Sequence, residues 1–462
     1  MMFKKGDTVL VIGVGRSGLA TAEVLRSRGV HVVAYDDKPV ELLSREARET
    51  LQRLHVPLVG ANKLDDVVRS AKAAIVSPGV PLTHRAVARL YEAQFPVISE
   101  IELAFALACG PVIAVTGSKG KSTTTALIGH LLRHAGMPNR VGGNIGNPLV
   151  RETAAANKDE WIVAEVSSFQ LEGIRTFAPR ISVLLNVSPD HLDRYHSMEE
   201  YAEAKFRIFA NQARDDVFIG NADDEYCAAL RAGAGRTVPC RALWFGMDPS
   251  DRALTMTLEG EAMVMRNRRR EAPVIDVADL RIQGRHNVAN AMAAALAALS
   301  AGAKLEPIRK GLRTFDPLPH RLTLVHTAGG VRWIDDSKAT NPAAATAALK
   351  AIEQPVILIA GGKSKKTDFT SFAAAAGKHA KQVILIGETA HQIGELIEGP
   401  PVIYARDLES AVETAAAAAV RGDVVLLSPA CASFDMFESA EQRGEHFAEL
   451  ARARRDPDMA AS

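Results

Sequence analysis

A glycine-rich turn between a short apolar run and an amphipathic segment has the residues best suited to bind a nucleotide. It reads Thr116-Gly117-Ser118-Lys119-Gly120-Lys121-Ser122-Thr123. Glycines let backbone N–H groups turn towards phosphate oxygens, and the N-terminus of the following helix adds partial positive charge. In such a loop Lys121 reaches the β- and γ-phosphates, and the Ser122 hydroxyl coordinates Mg²⁺. The run is predicted to bind ATP, although its two glycines are closer together than in the general GxxxxGK[ST] pattern; the alternative is a tight turn with an incidental lysine and serine.

Two further side chains follow apolar runs and are candidate metal ligands. Glu165 ends the run WIVAE, and His191 lies just beyond ISVLLNV, in the segment SPDHLDRY. Because parallel α/β sheets present ligand groups at the carboxyl ends of their strands, both side chains are expected at the same sheet edge as the glycine turn. Magnesium-dependent phosphoryl transfer needs such ligands there. Taken alone, each would more often be an ordinary surface carboxylate or a capping histidine, and it is their shared position at strand ends that favours metal binding.

The segment SMEEYAEAKFRIFANQ predicts a helix with a lysine on its apolar side. Ser197 is the expected N-cap, and Glu200 would complete a capping box. Lys205 lies on the apolar stripe, four residues after Tyr201 and four before Phe209. The sequence favours a snorkelling lysine that keeps its charge in water. The alternative is a desolvated amine with a lowered pKa, which can add CO₂ to become a carbamate ligand for a metal.

A second glycine-rich turn lies near the start of the chain. Gly13-Val14-Gly15-Arg16-Ser17-Gly18 is a full GxGxxG after the run TVLVI, and Asp36 follows eighteen residues beyond Gly18. Alone, this fingerprint predicts NAD(H) binding with Asp36 on a ribose hydroxyl, so an NAD-dependent oxidoreductase is an alternative. The lysine and serine of the later glycine turn weigh against it, because they have no role in hydride transfer.

Strand–turn–helix patterns in three regions would position these residues. The first region contains TVLVI and HVVAYDD, the second VIAVTG, WIVAEVSS and ISVLLNV, and the third PVILIAGG, QVILIGE and DVVLLSPA. Short apolar runs that alternate with helical segments predict parallel strands with crossover helices, and residues 240–283 predict a peripheral β-element. We expect an α/β protein of three domains: a Rossmann-like domain over 1–99, a P-loop ATPase-type parallel sheet over 100–317, and a Rossmann-like domain over 318–462.

Composition limits the classes of partner. The 462 residues include 55 Lys and Arg against 54 Asp and Glu, so no overall basic field attracts nucleic acid or an anionic membrane. The first apolar run is too short to span a bilayer and is not followed by a signal cleavage site. Four scattered cysteines fit reduced thiols better than disulfides or a zinc site. A cytoplasmic monomer that binds small molecules is expected.

Eight motifs, in order along the chain, carry a resemblance to a known family. They are TGSKGKST, EVSSFQLE, NVSPDHLDRY, EAKFRIF, GRHNVANA, PHR, DDSKATN and SPACASFDMF. The set resembles the Mur ligases of peptidoglycan synthesis and covers nearly the whole chain. The resemblance implies an ATP-dependent, ADP-forming ligase of cell wall biogenesis, needed for cell shape and division. It would activate UDP-N-acetylmuramoyl-L-alanine as an acyl phosphate and join it to D-glutamate.

The resemblance also implies roles for individual residues. Lys121, Ser122 and Thr123 would bind ATP phosphates and Mg²⁺, Glu165 would hold a first magnesium ion, and His191 with a carbamylated Lys205 would hold a second. The expected catalytic residues are Lys121, His191 and Lys205, and the nucleotide would also contact Asn287, Arg321, Asp336 and Lys338. The UDP-substrate would be bound by Ser17, Asp36, Asp37, Lys38, Ser77, Gly79 and, at its muramoyl-peptide end, Asn144. The incoming glutamate would be bound by Thr340, Lys365 and Ser433.

Two positions depart from the family pattern and keep alternatives open. Ala440 stands where the family has an aromatic residue before the run EQRG, and the stretch GGKSKKTDF around Lys365 is more basic than usual. A Mur-type ligase that uses another amino acid is therefore an alternative. A non-catalytic nucleotide-binding module or P-loop switch is another, but it would need no third domain with the run SPACASFDMF.

Overall fold

The computed structural model describes residues 2–190, 194–234, 236–266, 271–282, 284–363 and 367–454. The chain divides into two compact units, Met1–Asp316 and Pro317–Ser462. Within the described ranges there are three β-sheets, two in the first unit and one in the second, and the predicted α/β class is confirmed. Nowhere in these ranges does a helix have both the length and the apolar character needed to cross a bilayer.

The first sheet has five parallel strands in the order β3-β2-β1-β4-β5. This is the strand order of a dinucleotide-binding fold, with the first glycine turn directly after β1. The strands are β1 (Thr8–Ile12), β2 (His31–Tyr35), β3 (Leu58–Val59), β4 (Ala73–Val76) and β5 (Val97–Ser99). The helices are α1 (Arg16–Ser27), α2 (Arg45–Arg53), α3 (Leu64–Ser70), α4 (Arg85–Glu92) and α5 (Glu100–Leu107).

The second sheet has nine strands in the order β14-β13-β12-β11-β10-β9-β6-β8-β7. The strands are β6 (Val112–Thr116), β7 (Asn139–Gly143), β8 (Trp161–Glu165), β9 (Ile181–Leu184), β10 (Val217–Asn221), β11 (Arg241–Gly246), β12 (Met256–Glu259), β13 (Ala262–Arg266) and β14 (Glu271–Asp276). The helices are α6 (Lys121–His134), α7 (Leu149–Ala155), α8 (Ser168–Glu172), α9 (Met198–Phe206), α10 (Glu225–Arg231), α11 (Arg285–Ser300) and α12 (Leu305–Thr314). Strands β12 to β14 pair antiparallel at one edge, as predicted for residues 240–283.

Helix α9 begins as predicted, with one difference at its cap. The Ser197 hydroxyl oxygen accepts a hydrogen bond from the Glu200 N–H at 3.1 Å. The Glu200 carboxylate, however, accepts from the N–H of His196 and not from that of Ser197. The predicted capping box is therefore only half formed, because the carboxylate reaches one residue further back along the chain.

The second unit contains the third sheet, with strand order β15-β16-β20-β17-β18-β19. Its core strands are parallel, as the three apolar runs predicted, and among the described strands β15 alone is antiparallel to its neighbour. The strands are β15 (Thr323–Ala328), β16 (Val331–Asp335), β17 (Val356–Gly361), β18 (Ala380–Ile386), β19 (Val402–Tyr404) and β20 (Val424–Leu427). The helices are α13 (Pro342–Lys350), α14 (Thr370–His379), α15 (Ala390–Gly394), α16 (Leu408–Ala418) and α17 (Ala440–Arg452).

Candidate active site

The register of the second sheet brings the candidate nucleotide and metal residues to one edge. Val115 of β6 pairs with Glu165 of β8, and Thr116 pairs with Leu184 of β9. Three features therefore lie side by side at the carboxyl ends of these strands: the glycine turn, Glu165 and the segment after β9. Parallel strands with aligned carboxyl ends make this edge a natural ligand site.

Two glycines give the phosphate loop its shape. Gly117 has φ +154° and Gly120 has φ +83°. A Cβ atom at Gly120 would lie 2.3 Å from Oδ1 of Asn290 on α11, so a side chain there would clash as well as strain the backbone. Helix α6 begins directly after, at Lys121, and directs its N-terminal N–H groups towards the loop.

The loop is fastened to the segment after β9 by a set of hydrogen bonds. The N–H groups of Ser118 and Lys119 donate to the backbone and side-chain oxygens of Asn186, at 3.0 and 2.8 Å. The Asn186 amide donates back to the carbonyl of Lys119 at 3.1 Å. The Ser118 hydroxyl lies 3.0 Å from the carbonyl of Ser188 and 3.2 Å from the Tyr201 hydroxyl. Sequence reasoning missed Asn186, although its place directly after an apolar strand was a usable signal.

Two lysines meet at one backbone carbonyl of the loop. The Lys121 ammonium donates to the carbonyl oxygens of Gly117 and Ser118, at 2.8 and 3.0 Å. The Lys205 ammonium donates to the same Gly117 oxygen at 3.0 Å. The catalytic candidates Lys121 and Lys205, far apart in sequence, are therefore neighbours.

The favoured interpretation of Lys205 as a snorkelling side chain is wrong. Its side chain is only 1% exposed, and its Nζ lies 4.3 Å from the centre of the Tyr201 ring. Burial, followed by repulsion from Lys121, holds the pKa of this amine well below its usual range, while Asp190 opposes the shift. The amine is kept from water because α9 lies with its apolar stripe against the phosphate loop.

Glu165 has one carboxylate oxygen bound by protein and one that no described residue contacts by a hydrogen bond. Its side chain is 2% exposed, and Oε1 accepts from the Asn144 amide at 2.8 Å. Oε2 is buried and has no hydrogen-bond partner among the described residues. A buried carboxylate oxygen without a donor is costly unless a cation completes it, so this oxygen fits a magnesium ligand. Within the described ranges no three His, Cys, Asp or Glu side chains cluster as a metal site, and His191 lies outside those ranges.

The candidate UDP-substrate residues surround the first glycine turn. Asp36 accepts from the N–H of Val14 at 3.1 Å and from that of Lys38, also at 3.1 Å. The buried Ser77 hydroxyl donates to the carbonyl of Gly13 at 2.8 Å. Ser17 lies in the first turn of α1, and Gly79 is exposed two residues beyond Ser77. The carboxyl end of β1 is thus framed by the residues predicted for it.

Asp37, beside this turn, is held as an anion. Hydrogen bonds from His84 and Tyr35 lower its pKa to about 2, with Arg85 contributing and burial opposing. Its carboxylate oxygens lie 2.9 Å from the His84 Nε2 and 2.8 Å from the Tyr35 hydroxyl. His84 and Arg85 were not identified from the sequence. Arg16, on the same turn, donates to the carbonyl of Gly146 in the loop after Asn144.

In the second unit, one nucleotide candidate, Arg321, lies just before the start of β15, and two, Asp336 and Lys338, lie just after the end of β16. The buried Asp336 carboxylate accepts from the Ser428 hydroxyl at 2.7 Å. Burial raises the pKa of Asp336 to about 7, and the Ser428 hydrogen bond and then the Arg321 charge oppose the shift. Lys338 donates to Glu441 at 2.5 Å. In the first unit, the Asn287 side chain accepts from Asn290 at 3.0 Å, beside Gly120.

A buried arginine fastens the loops that carry the candidate amino-acid residues. Arg443 of α17 is fully buried, and its guanidinium donates to the Ser337 hydroxyl at 2.9 Å and to the carbonyls of Ser337 and Cys431 at 2.9 and 3.2 Å.

The candidate amino-acid residue Ser433 is 1% exposed, and its hydroxyl has no partner among the described residues. The N–H of Thr340 donates to the carbonyl of Lys338, and Lys365 lies outside the described ranges. Arg443 was missed because a charged residue in a helix predicts a surface position.

Sequence profiles of known families match most of the chain. The Mur ligase MurD-like N-terminal domain matches residues 7–99, the Mur ligase middle domain 115–298, and the Mur ligase glutamate ligase domain 320–431. A UDP-N-acetylmuramoylalanine--D-glutamate ligase of Koribacter versatilis is 41% identical over 97% of this chain and 98% of that protein. A protein of the same name from Pelotomaculum thermopropionicum is 42% identical over 96% of both chains.

Solved structures share the fold at lower identity. UDP-N-acetylmuramate-alanine ligase MurC of Thermotoga maritima has a TM-score of 0.61 at 20% identity, covering 96% of this chain and 99% of that one. MurF ligase of Thermotoga maritima, in complex with ADP, has a TM-score of 0.55 at 18% identity, covering 91% and 93%. The same architecture therefore holds an adenine nucleotide in at least one of these proteins.

Proposed function

This chain belongs to the Mur ligase family, and we infer from that premise that it adds D-glutamate to UDP-N-acetylmuramoyl-L-alanine in peptidoglycan synthesis. It is an ATP-dependent, ADP-forming amide ligase that uses Mg²⁺. The observation on its own residues that supports this most directly is the shared sheet edge. There, the Glu165 carboxylate oxygen that has no partner among the described residues and the ammonium of Lys121 belong to adjacent strand ends.

The chemistry requires a carboxylate to become an electrophile. ATP phosphorylates the carboxylate of the UDP-linked substrate, so that phosphate and not oxide is the leaving group. We propose that Lys121 and the N–H groups of residues 117–123 hold the phosphates in line for this transfer. The amine of glutamate then attacks the acyl phosphate, and the tetrahedral intermediate collapses to the amide and phosphate. Exclusion of water protects the acyl phosphate from hydrolysis.

Magnesium would neutralise charge on the transferring phosphoryl group. We propose that Glu165 and Ser122 hold one ion, and that His191 and a carbamylated Lys205 hold a second. A neutral Lys205 amine is the form that adds CO₂, forming an N–C bond with loss of a proton. Its burial and lowered pKa support that form.

The remaining site residues keep their proposed roles. In addition to the loop, ATP would contact Asn287, Arg321, Asp336 and Lys338. The UDP-substrate would contact Ser17, Asp36, Asp37, Lys38, Ser77, Gly79 and Asn144, and glutamate would contact Thr340, Lys365 and Ser433. We further propose domains over 1–99, 100–317 and 318–462, and a cytoplasmic monomer. Light scattering of the purified chain tests the monomer.

The deciding experiment is phosphate release from ATP with UDP-N-acetylmuramoyl-L-alanine and a panel of amino acids. We expect turnover with D-glutamate and much less with L-glutamate, D-aspartate or other amino acids. A different preferred amino acid would overturn the assigned substrate, with Ala440 as the first position to examine. Failure of any amino acid to raise turnover would favour a nucleotide-binding module. In a parallel assay with added NAD⁺ or NADH, an absorbance change at the nicotinamide wavelength would favour an oxidoreductase.

A further inference from the structure

The side chain of Asn186 hydrogen-bonds both backbone polar groups of one residue in the phosphate loop. Its amide oxygen accepts from the N–H of Lys119 at 2.8 Å, and its amide nitrogen donates to the carbonyl of Lys119 at 3.1 Å. A carboxamide carries one acceptor and a donor group side by side, so it can bond the loop as a neighbouring strand would. Asn186 is not one of the residues proposed to bind ATP, magnesium or either substrate.

These bonds continue the pairing of β6 with β9 beyond the ends of the two strands. The N–H of Leu185 donates to the carbonyl of Thr116 at 3.0 Å, and the N–H of Ser118 donates to the carbonyl of Asn186 at 3.0 Å. A Cβ atom at Gly117 would lie only 3.0 Å from the Cβ of Leu185, so the loop lies directly on this segment. The side-chain amide of Asn186 forms the last contact of the extended pairing.

The segment that carries Asn186 is itself fixed on both sides. The Asn221 amide, at the end of β10, donates to the carbonyl of Leu185 at 3.0 Å. The Asp224 carboxylate accepts from the N–H of Val187 at 2.9 Å. Removal of the Asn186 side chain should therefore leave its backbone in place and affect mainly the loop.

The residue held by Asn186 directly precedes the turn into α6. Lys119 is followed by Gly120, with φ +83°, and the helix begins at Lys121. A mobile Lys119 peptide would let the turn and the start of the helix move, and a mobile loop must lose that freedom when it binds a ligand. We propose that Asn186 is a positioning residue for the nucleotide, which holds the Lys119 peptide so that the phosphate loop is formed before ATP binds. The inference rests on the proposed ligase function for the identity of the nucleotide.

The test compares the natural full chain with Asn186→Ala by calorimetric titration with ADP in the presence of Mg²⁺. We expect the variant to bind ADP roughly 10-fold more weakly, because the loop must now be ordered on binding. In the ligase assay the KM for ATP should rise by a similar factor, while kcat and the KM values of the other two substrates stay within about 2-fold. A general structural disturbance would instead change kcat or all three KM values together.

Asn221→Ala is the matched control, because it removes an amide bond to the same segment but none to the loop. It should keep the natural affinity for ADP. Natural ADP affinity in Asn186→Ala, or the same loss in Asn221→Ala, would overturn the role of Asn186. A natural chain that binds no ADP would give a different result, since it would refute the proposed function and this inference with it.

A second measurement does not depend on nucleotide affinity. Without nucleotide, amide hydrogen exchange over residues 117–123 should be at least ~3-fold faster in Asn186→Ala, because the Lys119 N–H loses its acceptor. Asn186→Asp covers poor folding of the alanine variant; it is nearly equal in size and keeps an acceptor for this N–H, so its exchange should be intermediate. Natural exchange over these residues in both variants would contradict the proposed positioning.

Discussion

The ammonium nitrogen of Lys205 lies 3.0 Å from the carbonyl oxygen of Gly117, inside the turn that precedes α6. The same oxygen accepts from Lys121 at 2.8 Å, so two amino groups meet at one side of the loop. Burial of Lys205, and then repulsion from Lys121, lower the pKa at position 205 and favour a neutral amine there. A lysine kept from water, with a lowered pKa, is suited to chemistry that an exposed lysine cannot perform.

Replacement of Lys205 by alanine should remove ligase activity, and acetate or another short carboxylate should restore part of it. The restored activity is expected because a small carboxylate can occupy the place of the proposed carbamate. Initial rates of phosphate release with and without acetate measure this. Lys121→Ala, which lacks a lysine in the same loop, should gain nothing from acetate. Equal rates of Lys205→Ala with and without the carboxylate would mean that the buried amine is structural.

Lys121→Ala should lower turnover at least ~100-fold while the fold is retained, because the lost ammonium acts on charge that develops during phosphoryl transfer. Phosphate release at saturating substrates measures the loss, and circular dichroism checks the fold. The exposed Lys158 supplies the matched lysine-to-alanine control, which should keep full activity. A Lys121→Ala enzyme with activity near that of the natural chain would refute the assignment of the loop.

Ser433→Ala should weaken glutamate binding without changing the KM for ATP. Its buried hydroxyl has no partner among the described residues, so a ligand oxygen is its expected partner. Loss of one such bond in a dry pocket corresponds to a rise in the KM for glutamate of roughly 10-fold. Ser371→Ala, on the exposed side of α14, is the control. An equal rise in both KM values would indicate a general disturbance of the second unit.

Glu100→Gln should change how stability depends on pH. Glu100 begins α5 and is 1% exposed; Oε1 accepts from the N–H of Val150 at 3.0 Å, while Oε2 has no partner among the described residues. Burial raises its pKa from 4.5 to about 7, while the Val150 N–H and the nearby Gln170 side chain oppose the shift. Between pH 4.5 and about pH 7, the Glu100 carboxyl is therefore protonated in the folded chain and ionised in the unfolded chain. Stability due to this group falls as pH rises from 4.5 to about 7 and is then constant.

The glutamine variant lacks this titration, so its stability relative to the natural chain should rise by roughly 2–3 kcal/mol between about pH 5 and about pH 8. Urea unfolding at the two pH values measures the difference. The exposed Glu92→Gln is the matched control and should alter the pH dependence little. A pH-independent difference between Glu100→Gln and the natural chain would contradict the raised pKa.

The sequence was most informative where a candidate functional residue comes directly after a strand. Glu165 and the glycine turns could be placed because parallel strands end together, and the register of β6 with β8 confirms that placement. The three-sheet α/β architecture also followed from alternating apolar runs and helical segments. These signals are local: each depends on residue types within a few positions along the chain.

The sequence was least informative where a polar side chain is buried by distant segments. Lys205 was expected to reach water. Its burial instead depends on contact with the loop at Gly117, which lies far away in the chain. Arg443 is similar, since its partners Ser337 and Cys431 come from two other strand ends. No periodicity marks such a residue, because its desolvation is offset by hydrogen bonds that form only in the folded chain.

The contact between Gly120 and Asn290 restricts how the loop can evolve. An added methyl group at position 120 would meet the Asn290 side chain at 2.3 Å and would also have to adopt φ +83°. A smaller residue at position 290 would relieve the first problem but not the second. Mutations at these two positions should therefore be epistatic, and resistance to a nucleotide-mimicking inhibitor is not expected to arise by substitution of Gly120.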